Sequence, residues 1–361
     1  MTCANFSLTY YIYDKDKDLR LPNNKHYYTY IIRQDKFHKK YFANNLWKER
    51  YGKHVLYSNY QDISFIKDSI PNINIMANKG KLYDSIDGLW YALPHINFNI
   101  TNKEQMNKIF DLDKDDSLWF LKKDSDLSYG GYDVYPILLN QEFYKTLTSY
   151  IEESNRYKKY QSANFTIQKG VNNPLLINGR KFDLRIFCLV VFTNGNIGFY
   201  LFKKGLLRKS LKRYDSNTID KATHITNTTF TYSKTTTSID GNSKFTELFD
   251  KKHKYYNYYD KIKDITNDIC NIYKNKLDIS THKYGYILLG FDYIIDINGN
   301  VYILEINDQP QLHYDKENID NKHKGLEYDM FADFYKLTFD AILTCNLVTF
   351  DTDYYDFLLR N

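Results

Sequence analysis

Residues 285–310 read GYILLGFDYIIDINGNVYILEINDQP, and this stretch decides the fold. Two apolar runs flank Asn298-Gly299. That dipeptide tolerates positive φ at both central positions of a tight type I′ turn, so the segment predicts a β-hairpin. With Ile297 facing Asn300 across a two-residue loop, counting outward puts Asp292 directly opposite Glu305. Asn307 shares the face of Glu305, because side chains repeat every second residue along a strand. Two carboxylates opposed in a sheet repel. With Cβ atoms about 5 Å apart and an effective dielectric of about 20, the Coulomb cost is roughly 3 kcal/mol. A shared proton offsets it, or a divalent cation does, with Asn307 as a neutral oxygen ligand beside the pair. Three hard oxygen donors on rigid strands suit Mg²⁺, whose remaining positions phosphate and water fill. The alternative is a solvated pair on the open face of an edge hairpin.

The chain's 361 residues can bury a large core, and 43% hydrophobic content excludes wholesale disorder. Its 49 basic and 44 acidic residues give a net charge of +5, too balanced for a nucleic-acid binder. That balance is compatible with an acidic substrate meeting a local basic groove. The 36 tyrosines sit in a chain crowded with Lys, Asn and Ile, so they read as a compositional bias rather than as stacking platforms. Cys3, Cys188, Cys270 and Cys345 lie far apart, without metal-ligand spacing, and are expected as free thiols in a reducing compartment. The start lacks the pattern of a secretory signal, and no apolar run is long enough to span a bilayer. A cytoplasmic monomer without membrane contact is therefore expected.

A second informative stretch, residues 170–202, reads GVNNPLLINGRKFDLRIFCLVVFTNGNIGFYLF. Asn178-Gly179 and Asn194-Gly195 mark two hairpin turns, so three strands follow in a meander. Lys181, Asp183 and Arg185 share one face of the middle strand, while Phe182, Leu184 and Ile186 share the other. Beyond Arg185 the charged face turns apolar at Phe187 and Leu189. A row of charges entering a sheet is costly to bury without a charged ligand. With Thr193 opposite Asn196, Lys204 falls opposite Arg185 and Arg208 near Lys181, unless Gly205 bulges the strand. Like charges gathered on one patch suggest a polyanion between them. The alternative is an exposed ladder of small energetic weight. Upstream, LWFLKKDSDLSYGGYDV (residues 118–134) predicts a strand over Leu118–Lys122 and a loop ending in Gly130-Gly131. Such a loop exposes backbone amides to phosphate oxygens, and Lys122 stands beside it.

Elsewhere the pattern predicts strands at Tyr27–Ile32, Ile63–Ile66, Ile73–Met76 and Phe165–Lys169. Helices are expected over Gln34–Arg50, Gln141–Tyr160, Asp260–Asn275 with Ile262, Ile265 and Ile269 inward, and Leu326–Leu347 with Phe331, Phe334 and Leu337 inward. Leu82, Ile86, Leu89, Trp90 and Leu93 form a further helical stripe. Phe230–Lys251 reads as a loop.

GFDYIIDINGNVYILEINDQP resembles the metal-binding hairpin of ATP-grasp ligases, specifically of the tubulin–tyrosine ligase-like family. QKGVNNPLLINGRKFDLR (residues 168–185) is similar to that family's signature, KKGLLRKS (203–210) to its second arginine strand, and His224-Ile-Thr-Asn227 to its short His-Leu-Thr-Asn element. The resemblance implies an α/β (α+β) ATP-grasp fold. Its expected parts are a small N-terminal α/β lobe (1–115), a central lobe (116–172) and a C-terminal antiparallel-sheet lobe carrying the metal hairpin (173–361).

The resemblance also implies roles. ATP and Mg²⁺ are the expected cofactors, with Asp292, Glu305 and Asn307 on the metal. Lys122 matches the central-lobe lysine. Gln168, Lys169 and Val171 would line the adenine pocket, with Lys181 and Asp183 toward base and ribose. Arg185 and Arg208 would be the catalytic arginines, and Thr226 and Asn227 would hold an incoming amino acid. Lys81 stands near where relatives carry a phosphate-directed lysine, but reads here as a solvated helix-start residue. Two departures are Gly130-Gly131 in place of a Gly-x-Gly spacing, and Gly170 where relatives carry an aromatic residue. The activity implied is an ATP-dependent carboxylate–amine ligase. It would add tyrosine, glutamate or glycine to a protein carboxylate, an acidic tubulin tail, through an acyl-phosphate. A ligase acting on a small peptide or metabolite, and an inactive nucleotide- or tubulin-binding relative, are the alternatives.

Overall fold

The structure is a computed structural model that describes residues 9–11, 48–50, 66–67, 72–124, 134–156, 162–193, 195–227, 246–277, 284–308, 310, 330, 333–334, 337–338, 341 and 347–359. Strand Tyr27–Ile32, most of helix Gln34–Arg50, the Gly130-Gly131 loop, residues 228–245, Phe331, Cys3 and Cys345 lie outside the described residues.

Strands β1 (Thr9–Tyr11) and β2 (Lys48–Arg50) pair in parallel, so the expected helix does not extend through Arg50. β3 (Ile66–Lys67) runs parallel to the start of a later strand. The segment expected as a strand at Ile73–Met76 is instead the short helix α1 (Asn74–Ala77), with Ile73 and Met76 buried. A four-residue apolar alternation does not separate strand from helix by itself. Asn78 then caps α2 (Lys79–Ile86), its side chain accepting from the Lys81 amide at 2.9 Å. α2 is shorter than the apolar stripe predicts. Gly88, at φ +76°, follows its end, and Leu89 and Trp90 are left exposed.

Among the described residues a four-stranded antiparallel sheet follows. It contains β4 (His95–Asn99), β5 (Leu118–Lys123), β6 (Val134–Leu138) and β7 (Asn164–Lys169) in the order β4-β7-β5-β6. The sheet thus takes one strand from before residue 116. Helices α3 (Lys103–Phe110) and α4 (Phe143–Ser154) cover one face, where Ile109, Leu147 and Ile151 pack on Leu121, Ile137 and Ile167.

Among the described residues the larger sheet has eight strands, β3 included. β8 (Leu176–Ile177) and β9 (Arg180–Thr193) are joined by Asn178 and Gly179 at φ +52° and +73°, the two positive angles a type I′ turn requires. β10 (Asn196–Lys209) returns with Asn196 opposite Thr193, as expected. α5 (Lys221–His224) and β11 (Thr246–Phe249) follow, then α6 (Tyr259–Tyr273). β12 (Tyr284–Ile295), β13 (Val301–Asn307) and β14 (Tyr355–Phe357) complete the sheet, whose main order is β11-β10-β9-β12-β13. The inner row of β9, Phe182 to Phe192, packs on Ile262, Ile265 and Ile269 of α6, all fully buried. Each such side chain contributes about 1.5–3 kcal/mol. On the opposite face Phe187, Leu189 and Val191 meet Met330, Phe334 and Leu337. At the Lys181–Asp183 end of that second face the two sheets line a cleft.

The central hairpin differs from the simple count in two places that cancel. Asp296 and Asn300 close the loop, with Asp296 N–H donating to Asn300 O and Gly299 N–H to Asp296 O, each at 3.0 Å. The loop is therefore three residues long, and of Asn298 and Gly299 only Gly299 has positive φ (+79°). The Asp296 carboxylate accepts from the amides of Asn298 and Asn300, which favours this turn over type I′. The ladder then runs Ile295↔Val301 to Tyr293↔Ile303, one residue out of the expected register. A β-bulge at Leu304 restores it, so Asp292 faces Glu305 after all.

Candidate functional site

The cleft is partly open to solvent and is lined from both sheets by charged side chains as well as by Leu93, Phe120 and Ile294. β7 and the residues after it supply Gln168, Lys169 and Val171, and β5 supplies Lys122. β9 and β10 supply Lys181, Asp183 and Arg208, and the segment after α5 supplies Thr226 and Asn227. Asp292 and Glu305 close the far side. Arg185 and Asn307 do not line the cleft directly but touch both carboxylates.

Arg185 binds Asp292 through two bonds, Nε to Oδ1 and Nη2 to Oδ2, each 2.7 Å. It also stands 3.9 Å from Glu305. Arg208 donates through Nε to Asp183 Oδ1 at 2.6 Å and pairs through Nη2 with Asp292 Oδ2 at 2.9 Å. The Thr226 hydroxyl donates to the other oxygen of Asp183. The expected pairing of Lys204 with Arg185 does not occur. The register shifts between Leu201 and Gly205, so Leu206 faces Arg185 and Arg208 faces Asp183. At Gly205, where the shift ends, the chains approach so closely that a Cβ would strike the Arg185 carbonyl. Arg208 therefore lies against acids rather than against Lys181.

Lys122 donates to Tyr83 Oη and Gln168 Oε1, both at 2.6 Å, and to the Leu304 carbonyl at 3.2 Å. Lys81 is exposed. It is Lys79, two residues earlier, whose ammonium is buried and stands 3.6 Å from Glu305. The sequence reading missed Lys79 and Tyr83. No sequence signal separated Lys79 from Lys81, because which lysine is buried depends on where the helix capped by Asn78 begins.

Five cationic side chains, Lys79, Lys122, Lys181, Arg185 and Arg208, thus face three carboxylates, Asp183, Asp292 and Glu305. Burial lowers the Lys122 pKa to about 7, against the pull of Glu305, and lowers that of Lys181 to about 8. Burial alone would disfavour the charge on Arg208, but Asp183 and Asp292 override it and raise its pKa. The two facing carboxyls diverge. Burial pushes Asp292 up, against Arg185 and Arg208. Burial also opposes ionisation of Glu305, but Lys79, Lys122 and Arg185 prevail and hold it well below the usual range. Burial, reinforced by Lys181, lowers His224 to about 4, so its ring is neutral. With Nε2 bonded to the Thr218 carbonyl at 2.7 Å, the proton sits there and Nδ1 is a bare acceptor.

Three buried polar atoms of cleft residues lack a hydrogen-bond partner among the described residues: Gln168 Nε2, Arg208 Nη1 and His224 Nδ1. Unpaired buried groups cost about 1–3 kcal/mol each, and the convergence of two donors and one acceptor on one cleft fits a polar ligand that both accepts and donates. No group of three His, Cys, Asp or Glu side chains among the described residues could hold a metal ion. The donors that fit a hard cation are Asp292, Glu305 and the amide of Asn307, whose Nδ2 lies 3.4 and 3.3 Å from the two carboxylates. A cation requires that amide to present its oxygen instead.

This mixed α/β architecture, with antiparallel sheets about a charged cleft, is ATP-grasp-like. The family model for the tubulin-tyrosine ligase family matches residues 90–341, and the chain belongs to that family. It is 28% identical over 237 residues to Tubulin glycylase 3D of Tetrahymena thermophila, covering 62% of this chain and 21% of that protein. It is 30% identical over 162 residues to Inactive polyglycylase TTLL10 of Homo sapiens, covering 41% of this chain and 24% of that protein. It is 30% identical over 164 residues to Probable tubulin polyglutamylase TTLL9 of Bos taurus, covering 41% and 34%. The matched part therefore spans about a third or less of each relative's own length. Among the described residues no helix is long and apolar enough to cross a membrane.

Proposed function

We propose that the protein is an ATP-dependent carboxylate–amine ligase that adds an amino acid to a protein carboxylate, an acidic tubulin tail. The observation that carries this reading is the excess of buried cationic charge beside the facing carboxylates Asp292 and Glu305. Membership of a family whose relatives are named as glycylases and polyglutamylases supports it. Tyrosine, glutamate and glycine are the candidate donors. The acceptor is a cytoplasmic protein with an acidic tail, and the enzyme works as a monomer.

In this reading Gln168, Lys169 and Val171 hold the base, and Lys181 and Asp183 face base and ribose. Lys122, Lys181, Arg185 and Arg208 neutralise the triphosphate as negative charge shifts between its oxygens. Asp292, Glu305 and Asn307 would hold Mg²⁺, which would supply further neutralisation of the phosphate oxygens. The acceptor carboxylate attacks the γ-phosphorus, the bond to ADP breaks, and an acyl-phosphate forms. Arg185 and Arg208 stabilise this mixed anhydride. The donor amine, oriented near Thr226 and Asn227, attacks the carbonyl, phosphate leaves, and the amine proton passes to solvent.

A second reading is an inactive nucleotide-binding relative. Both Asp292 oxygens are engaged by arginines, and one relative is named inactive. ADP release that depends on an added tubulin-tail peptide supports the ligase. Mg²⁺-dependent binding of an ATP analogue without such release supports the second reading.

A further inference from the structure

The bulge that brings Asp292 opposite Glu305 leaves Leu304 as the extra residue on β13. Its carbonyl accepts from two side chains outside the hairpin: the Tyr83 hydroxyl and Lys122 Nζ, the latter at 3.2 Å. Tyr83 in turn accepts from Lys122 at 2.6 Å. One phenol therefore bridges the cleft lysine to the backbone atom that fixes the register of Glu305. Tyr83 is 1% exposed, its ring packs against His95 at 5.4 Å, and burial keeps the phenol protonated and able to donate. It belongs to α2, which lies before the segment the family model matches.

We infer that Tyr83 is a positioning residue: its hydroxyl holds the Leu304 bulge and the Lys122 ammonium together, and so sets the distance between Lys122 and Glu305 across the cleft. A bulge adds a residue whose backbone groups leave the ladder and must find other partners. Here Tyr83 and Lys122 are those partners. Without the hydroxyl, the carbonyl keeps only the longer bond to Lys122, and Lys122 loses one of its three acceptors. Part of the inference rests on reading the cleft as a nucleotide site.

The test is a double-mutant cycle with Tyr83→Phe and Lys122→Met, read by calorimetric binding of a non-hydrolysable ATP analogue with Mg²⁺. Y83F should weaken binding by about tenfold, the weight of one charge-assisted hydrogen bond. In the K122M background the further loss should be smaller, because the part of the Tyr83 effect that acts through Lys122 is already gone. Amide hydrogen exchange is measured alongside and should speed up in residues 303–306 of Y83F while α6 is unchanged. Affinity within twofold of wild type, a fully additive cycle, or unchanged exchange at 303–306 overturns the inference. If wild type binds no nucleotide, the nucleotide reading fails by itself, and the exchange measurement still decides the role of Tyr83. Tyr83→Met, which fills the volume flexibly, replaces Phe if that variant does not fold. Failure of both to fold makes Tyr83 structural alone and overturns the proposal.

Discussion

Arg185 binds both oxygens of the Asp292 carboxylate, through Nε and Nη2, at 2.7 Å each. Both side chains are almost wholly buried. Arg208 still pairs with Asp292 when Arg185 is removed, so Arg185→Ala loses two charge-assisted bonds without stranding the carboxylate and is expected to cost about 1.5–3 kcal/mol. Arg185→Lys keeps the charge but loses the planar fork, and should cost less while still abolishing ligation. Urea unfolding with an unchanged m-value checks both.

Gly205 should tolerate no side chain. A Cβ there would meet the Arg185 carbonyl and stand 2.6 Å from Ile186 Cδ1. Gly205→Ala is expected to destabilise by about 1–3 kcal/mol. Because the register that resumes at Gly205 sets Arg208 opposite Asp183, nucleotide affinity should fall as well. Wild-type affinity in a folded G205A would contradict this link.

The cleft lysines give a pH signature with a definite sign. Lys122 titrates at about 7 in the folded protein, against about 10.4 in an unfolded chain. Between those values the unfolded state binds the extra proton, so stability rises with pH from about 7 toward about 10. Lys181, at about 8, contributes in the same direction over the upper part of that range. Lys122→Met should flatten the rise. A bound triphosphate stabilises both ammonium groups, so calorimetry at pH 8 in buffers of different ionisation enthalpy should register net proton uptake. Proton release would contradict it.

Glu305→Gln removes one carboxylate while keeping its shape. Ligation should become undetectable. The variant should still unfold cooperatively at a lower midpoint, since Lys79 and Lys122 lose their anionic neighbour. Glu305 is ionised well below the usual range, so the stability it contributes is present above about pH 4.3. It is lost as pH falls through the folded value, and E305Q should lack this acid-side loss. Circular dichroism melts with a ligation assay decide the matter.

Much of the site could be read from alternation alone. Lys181, Asp183 and Arg185 occupy the cleft end of β9, and Phe187 and Leu189 begin its apolar end, because the pleat leaves no other choice. The pairing of Asp292 with Glu305 also emerged by counting, but only because a longer turn and a bulge offset each other. Where a single irregularity stood alone, at Gly205, the count failed and Lys204 was wrongly set against Arg185. Bulges depend on what lies above and below the strand, which local pattern does not encode. Lys79 was missed for a related reason. Neighbouring lysines on a helix differ only in which face is buried, and that depends on where α2 starts.

The central claim is that the cleft joins an amino acid to an acidic protein tail at the expense of ATP. Its most direct test is incubation of the protein with tubulin, ATP, Mg²⁺ and a mixture of isotope-labelled tyrosine, glutamate and glycine, followed by mass spectrometry of the tubulin tails. The expected result is a mass addition matching one labelled amino acid, dependent on ATP and absent with E305Q. Unmodified tails with every donor, or undiminished addition by E305Q, would contradict the account.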